Sequence, residues 1–545
     1  QDNGPDNGHD NGPDNGQDNG PGHGHSPDHG GRPQRLTVGD RLPDPHDPEH
    51  RLRGVLMSEI VVYRKRRGVE AFMMVLALAI SLGGYVLIHL NTDAELPPQW
   101  PWAVGIAVGL ALLIHLVVRW RLPYADPLIL PSVLLLNGLG LALIHRLDQA
   151  DTKAPHSAEL QLMWTAAAIV AACVVIFLLR DYRILRAYPY LLFLIGMVTL
   201  MLPLVPGLGQ ESHGAQIWIR LGRWSFQPAE VAKIILSIAF AAYLVEKREV
   251  LALAGARFAG IDLPRLRDLG PILVMWLASL AVLVFQKDLG TSLLFFGLFV
   301  MMLYVATERP SWPILGLLLF SAGAYLAFLA FGHVQVRVSS WLDPFSKFDQ
   351  NYQVINAQFG LAWGGFFGTG WGLGRPYLTP LAKTDFIAAA AGEEIGVAGL
   401  TAIICVYGLI VARGLRTALG AKDPFGKLLA AGLSFVFALQ VFAILGGVTR
   451  LLPLTGLTTP FMSQGGSSLV ANWVMIALLL VITHHVRRPV LDTGAAGPVH
   501  SLAEESTQII DLTAGPPAPV VTGATLPTPP GPAEDVTQVV IRRDA

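Results

Sequence analysis

Long apolar runs broken by short polar segments dominate the chain between residues 69 and 485. A hydrocarbon core about 30 Å thick takes about 20 mostly apolar residues to cross as a helix. About twelve runs meet that measure. The first eight lie near 69–90, 102–119, 127–145, 161–179, 189–205, 229–246, 271–286 and 290–307. The last four lie near 313–332, 386–412, 426–447 and 467–485. The pattern predicts an all-α, polytopic integral membrane protein.

Basic residues orient the spans. Arg64 to Arg67 precede the first run, and no Lys or Arg occurs from Asn91 to Pro101. Arg119 and Arg121, then Arg180, Arg183 and Arg186, then Lys247, Arg248, Arg257, Arg265 and Arg267 follow even-numbered runs. Arg413, Arg416, Lys422 and Lys427, and finally Arg487 and Arg488, do the same. If the runs alternate, all of these share one side, and positive-inside placement puts both termini in the cytoplasm. The stretches 206–228, 286–290, 333–385 and 448–466 then lie outside. Long loops in a compact membrane protein are usually functional or disordered. The stretch 333–385 carries Trp341, Phe345, Phe348, Tyr352, Trp363 and Trp371, so function is the expectation.

Composition agrees with a membrane body and sets its limits. Of 545 residues 52% are hydrophobic and 14% charged, against about a quarter charged in soluble chains. The net charge of −1 gives no basic field for nucleic acid. Cys173 and Cys405 sit inside apolar runs and read as small core hydrophobes. Residues 1–62 open on a repeated Asp-Asn-Gly unit and predict a disordered cytoplasmic tail. No apolar segment there resembles a signal peptide. Residues 489–545, rich in Pro, Thr and Ala, predict a second tail.

Candidate chemistry gathers outside. The ninth and tenth runs flank a large loop holding Arg337, Asp343, Pro344, Lys347, Asp349, Tyr352 and Gln353. A carboxylate there suits a general base for a sugar hydroxyl; equally, Asp343 before Pro344 suits a turn cap. Ionisable residues near or inside spans are costly and invite a functional reading. Glu230 and Lys233 share a helix face behind Pro228, either for folding or for function. Asp288 suits the N-cap of the next span. Glu393 and Glu394, about two turns into the tenth run, must face protein or water. Gly465-Gly466-Ser467-Ser468 opens the last run; it allows close approach of a ligand or a neighbouring helix, or an anion at a helix start.

In order, these segments resemble the SEDS family (shape, elongation, division and sporulation), in particular its RodA and FtsW members. The matching strings are Gly214-Ala215 with Trp218-Ile219, Phe226-Gln227-Pro228 with Glu230 and Lys233, and Asp288-Leu289-Gly290-Thr291. They continue with Trp341 to Pro344 and Tyr352-Gln353, Gly368 with Gly370, Thr384 to Ile387, Gly392 to Glu394 with Gly396, Pro453 to Gly456, and Gly465 to Ser468. The resemblance covers about 127 to 485 and implies a ten-helix core. Residues 63–126 are then two added N-terminal helices, as in actinobacterial RodA-like proteins, and 127–488 is the core domain.

The resemblance implies an inverting glycosyltransferase that polymerises lipid II (undecaprenyl-diphosphate disaccharide-pentapeptide) in the bacterial plasma membrane, beside a class B penicillin-binding protein transpeptidase. A loop carboxylate would take the proton of the acceptor's sugar 4-hydroxyl. Lys347 stands where the family places its acid, and the loop is one residue shorter; Asp349 is the nearest acid and Asp343 the next. The departing diphosphate is anionic, so Arg or Lys, or a divalent cation such as magnesium or manganese, should stabilise it. No dedicated metal ligands are assigned. The expected substrate-binding residues are Arg220, Arg223, Glu230, Lys233, Asp288, Arg337, Asp385, Glu393, Arg450, Ser467 and Ser468. Two other readings fit a many-span chain with buried carboxylates: a lipid II flippase or other transporter, and a scaffold that recruits a transpeptidase.

Overall fold

The structure, a computed structural model, describes residues 67–489 except 94, 99, 152–155, 213–214, 223, 253–255, 259–260 and 264–265. The predicted tails lie outside the described residues, save residue 489. The first helices are α1 (Arg67–Thr92), α2 (Trp100–Arg121), α3 (Ile129–Asp148), α4 (Ser157–Leu178) and α5 (Pro189–Met201). Strands β1 (Gly209–Ser212), β2 (Ala215–Leu221) and β3 (Trp224–Phe226) precede α6 (Pro228–Ala252). Strands β4 (Ala256–Phe258) and β5 (Ile261–Leu263) lead to α7 (Leu266–Phe285), α8 (Leu289–Thr307) and α9 (Ser311–Ala330). The large loop holds α10 (Gly332–Leu342) and α11 (Phe348–Gly364), and α12 (Ile387–Gly420), α13 (Pro424–Val448) and α14 (Gly466–Arg487) complete the bundle.

Among the described residues ten helices are long and apolar enough to cross a membrane. Of the other two predicted runs, 189–205 forms the shorter apolar helix Pro189–Leu204, and 271–286 lies within α7. The stretch 206–228, expected as loop, instead folds β1, β2 and β3 into an antiparallel sheet. Along β2 the aliphatic residues Ala215, Ile217, Ile219 and Leu221 share one face and Gln216, Trp218 and Arg220 the other, the period of a strand, a signal masked by the longer apolar runs on either side.

α12 has 34 residues, about 51 Å at 1.5 Å per residue, longer than a bilayer core requires. It breaks at Gly396, where φ is 70° and a Cβ would strike the backbone of Phe366 to Gly368. Backbone groups freed by such a break need partners in a dry environment. The loop 365–370 supplies them: Val397 N donates to Gly365 O and Ala398 N to Phe366 O, both at 3.0 Å. In return Thr369 N donates to Glu393 O at 3.0 Å and Gly370 N to Glu394 O at 2.9 Å.

The four stretches predicted to lie outside meet at one end of the bundle. Gln216 N donates to Gln286 O, Arg337 reaches the carbonyls of 454–455, and the loop around 384 binds Ser463. The arginine-rich segments meet at the other end, where buried Asp126 accepts from Arg487 and faces Arg413 at 3.8 Å.

Between the two ends, Lys233 Nζ on α6 is buried and donates to Glu230 Oε2 at 2.6 Å, to Gln440 Oε1 of α13 at 2.8 Å and to Asn472 Oδ1 of α14 at 3.4 Å. Asn472 Nδ2 donates on to Ser468 Oγ (3.2 Å), which also accepts from Thr458 Oγ1 (2.8 Å). The network ties three helices together and leaves neither charge alone, the condition for keeping charges away from water. Lys233→Ala strands Glu230 and should cost about 3–5 kcal/mol. The pair Glu230→Gln with Lys233→Met should recover most of that, as read by the unfolding temperature of the purified protein in detergent.

Candidate active site

A cavity of about 560 Å³ opens at the end where the four stretches meet. β2 contributes Trp218, α10 contributes Arg337, Ser340 and Trp341, and α11 contributes Gln350, Asn351 and Gln353. Thr384, Asp385, Arg450, Thr458 and Gln464 close it from the α12 and α13–α14 side. A second chamber of about 540 Å³, lined by Gln161, Trp164, Gly465 and Gly466, shares Trp218, Thr384 and Gln464 with the first. Arg337, Arg450 and Asp385 are the ionised side chains of the first lining, so the chamber carries net positive charge.

Arg337 is the hub. Its Nη1 donates to Leu454 O at 3.1 Å and to Thr455 O at 2.9 Å. Gly456, at φ +73°, turns the backbone so that these carbonyls face the guanidinium. Asp288 and Asp385 flank it electrostatically. Arg450 adopts φ 59°, uncommon for a side chain of its size. Its Nη2 donates to Trp341 O at 2.9 Å while Trp341 Nε1 donates to Arg450 O at 3.0 Å. Its Nε is buried with no hydrogen-bond partner. A strained backbone and an open buried donor beside a cavity make Arg450 a candidate for binding.

Asp385 is held from behind. Lys383 Nζ pairs with Asp148 Oδ1 at 2.6 Å and Asp151 Oδ2 at 2.7 Å. Gln464 N donates to Lys383 O at 2.8 Å, and Ser463 Oγ to Thr384 O at 2.5 Å. Asp288 is the N-cap of α8, accepting from Thr291 N at 2.9 Å through Oδ1. Its Oδ2 is buried with no hydrogen-bond partner. Burial pushes the Asp288 carboxyl above the usual aspartate range; the Thr291 bonds and Arg337 oppose this, and Glu230 adds to it.

The loop aspartates stand at the rim. Asp343 caps α10, accepting from Ser346 N at 3.3 Å, and is exposed. Asp349 is exposed in the first turn of α11, one residue before Gln350 of the lining. Neither lines the cavity. Asn351 fixes the turn between them, donating to Pro344 O at 2.9 Å and accepting from Ser340 Oγ at 2.5 Å.

Other expected residues lie elsewhere. Arg220 is exposed on β2, outside the lining, and Arg223 lies outside the described residues. Glu230, Lys233 and Ser468 form the network beneath the cavity, and Ser467 is buried on α14. Glu393 accepts from Arg375 N at 2.5 Å, and Glu394 accepts from Arg146 Nε at 3.0 Å, so both hold the broken region of α12. Gly466 packs against the Trp164 ring, where a Cβ would collide, so its smallness serves a neighbouring helix. The lining also includes Trp218, Gln350, Asn351 and Thr384, which carry no charge to announce them.

A divalent cation finds little to hold it. The first lining offers one carboxylate, Asp385, and among the described residues no three His, Cys, Asp or Glu gather as a metal site. The fixed positive charge there is guanidinium.

Comparison with known proteins gives a consistent picture. A family model described as "Cell cycle protein", covering FtsW, RodA and SpoVE, matches residues 127–488. The chain is 48% identical over 435 residues to "Peptidoglycan glycosyltransferase RodA" of Mycobacterium tuberculosis, covering 78% of this chain and 92% of that protein. It is 32% identical over 372 residues to "Stage V sporulation protein E" of Bacillus subtilis, covering 66% of this chain and 98% of that one. A solved chain from work titled "Structural coordination of polymerization and crosslinking by a peptidoglycan synthase complex" aligns with a TM-score of 0.54 at 25% identity, covering 67% of this chain and 98% of the other.

Asp288 offers a direct test of cap against charge. Asn also caps helices, so Asp288→Asn should keep the fold and match or exceed the wild-type unfolding temperature at neutral pH, whereas Asp288→Ala should lose about 1 kcal/mol. Because burial raises the Asp288 pKa, its charged form costs stability above that pKa, and the cost fades as pH falls through it. The advantage of Asp288→Asn should therefore shrink as pH is lowered, as followed by thermal unfolding across pH.

Proposed function

The chain belongs to the FtsW, RodA and SpoVE family, and from that premise we propose that it polymerises the glycan strands of peptidoglycan in cell-wall synthesis, as a membrane glycosyltransferase. The observation that carries the reading is the cationic chamber itself. Two guanidiniums and one carboxylate converge in about 560 Å³ beside the loop helix that bears Asp349. Pockets of that size hold ligands in the range of a sugar diphosphate.

The substrate is lipid II. Arg337 and Arg450 receive the diphosphate of the growing strand, and their charge grows in value as the oxygen departs. Asp349 takes the proton from the acceptor's sugar 4-hydroxyl. That oxygen forms a bond to the anomeric carbon while the bond to undecaprenyl diphosphate breaks, turning an α-linkage into β. Asp343 backs up Asp349. A second reading makes Asp385 the base, and its position in the lining beside Arg337 favours it. Glu230, Lys233 and Asp288 act from beneath by holding the floor of the chamber. A transpeptidase partner cross-links the product, and that partner is of the class B penicillin-binding kind. The protein sits in the bacterial plasma membrane with its arginine-rich end and both termini in the cytoplasm.

Reconstituted protein given labelled lipid II should build long strands. Asp349→Ala should cut strand formation by about a hundredfold or more, with a smaller loss for Asp343→Ala. Full activity in Asp349→Ala together with a dead Asp385→Ala would transfer the base to Asp385. Movement of lipid II between leaflets without strands would instead identify a flippase.

A further inference from the structure

α11 presents a row of aromatic side chains that no part of the described protein covers. Phe348, Tyr352, Phe359 and Trp363 are 48, 44, 56 and 77% exposed. At 100° per residue the four fall within an arc of about 60°. Phe345, in the turn before the helix, lies 6.4 Å from Phe359, and Phe348 lies 5.9 Å from Tyr352. Phe366 and Phe367, just past the C-terminus of α11, are 63 and 84% exposed. No charged side chain falls inside the arc, and Asp349 stands just beyond its edge. The rest of α11 is accounted for: Val354 and Ala357 on the far side and Asn351 and Ile355 on one flank are buried, and Gln350 and Gln353 line the cavity.

The row continues into a lipid-facing surface. Gly365 and Phe366 are hydrogen-bonded directly to Val397 and Ala398, the first residues of α12 beyond its break. From Val397 to Gly420 that helix runs about 36 Å, enough to cross a core of about 30 Å. Arg413 and Arg416 lie near its far end, and Val397 and Ile404 are exposed apolar residues along its length. Val397 therefore sits at the outer edge of the hydrocarbon, with Phe366 and Phe367 at its height, while Gly364, next to Trp363, packs on Gly392 and Glu393 about one turn further out. Phe, Tyr and Trp at this level match the aromatic belt of membrane proteins.

We infer that the outer leaflet of the bilayer covers this row, so that α11 lies on the membrane surface with its aromatic face in the lipid and its amide face on the cavity. The inference concerns α11 alone and stands whichever residue is the base. It sets Asp349 at headgroup level, on the line between lipid and chamber. A lipid-borne sugar would meet the acid without leaving the membrane surface.

The test uses the full chain with Cys173→Ser and Cys405→Ser, in vesicles of phosphatidylethanolamine and phosphatidylglycerol with no other protein present. Nitroxide labels go on Tyr352→Cys, Phe359→Cys and Trp363→Cys, with Lys347→Cys as the aqueous control and unfolding temperature as the check on folding. Collision with lipid-soluble oxygen should exceed collision with a water-soluble nickel chelate by about threefold at the three row positions and fall below it at 347. Greater nickel access along the row overturns the inference. If those positions then become shielded when a transpeptidase is added, the row is a protein-docking face. Shielding from both reagents without a partner also overturns it, since the chain would then be covering the row itself.

Discussion

One guanidinium holds the cavity end of the bundle together. Arg337 comes from the helix after the ninth predicted span, yet its hydrogen bonds go to the carbonyls between α13 and α14, and its charge is faced by Asp288 before α8 and Asp385 before α12. A cation of this kind, only half-buried, can organise three segments because a planar fork of donors satisfies several acceptors at once. The same charge is what an anionic ligand would seek. Structure and binding thus draw on one side chain, and the chamber cannot be emptied of charge without loosening its walls.

Below that level the rule changes, because polar groups in the hydrocarbon must find partners inside the protein. Lys233 has Glu230, Gln440 and Asn472, and at the edge of the membrane Arg146 has Glu394 and two carbonyls of the glycine-rich loop. These sets are closed, with no partner left over for a substrate. Asp288 Oδ2 and Arg450 Nε, at the cavity end, are buried without partners. The closed Lys233 set and the open atoms of Asp288 and Arg450 thus differ in what they leave for a ligand, a difference that residue type alone does not show.

Much of the fold is legible in the sequence because hydropathy at this length has a single physical cause, the thickness of the bilayer. The spacing of Glu230 and Lys233 likewise reveals their pairing. Gln440 and Asn472 escape notice because they are uncharged, although an amide in mid-span is itself a signal of interhelical bonding. Arg146 is a basic residue at the cavity end of a span, away from the arginine-rich end; its burial against Glu394 explains it, and only three dimensions reveal that partner. The β1–β3 sheet is hidden by its brevity. For the site, the implied anionic leaving group leads to Arg337 and Arg450 and motif order to Asp385, whereas motif order leads to the loop aspartates without their height or facing. Whether Gly465-Gly466 serves a ligand or a helix depends on Trp164, a side chain from a span far away in the sequence that only the folded bundle brings into contact.

The two N-terminal helices have more to hold than their own hydrophobic faces. Asn91 Nδ2 donates to Trp371 O at 2.6 Å, Gly84 receives the Trp371 ring, and Gly372 packs on the backbone of Ile88. Trp371 and Gly372 belong to the loop that Arg146 clasps and that stitches the break in α12. A chain shortened to the family-matched region would therefore bare an indole and leave that loop supported from one side only. The hairpin ahead of the family-matched region is thus a buttress, and the edge of that match at residue 127 does not mark where the mechanical integrity of the bundle begins.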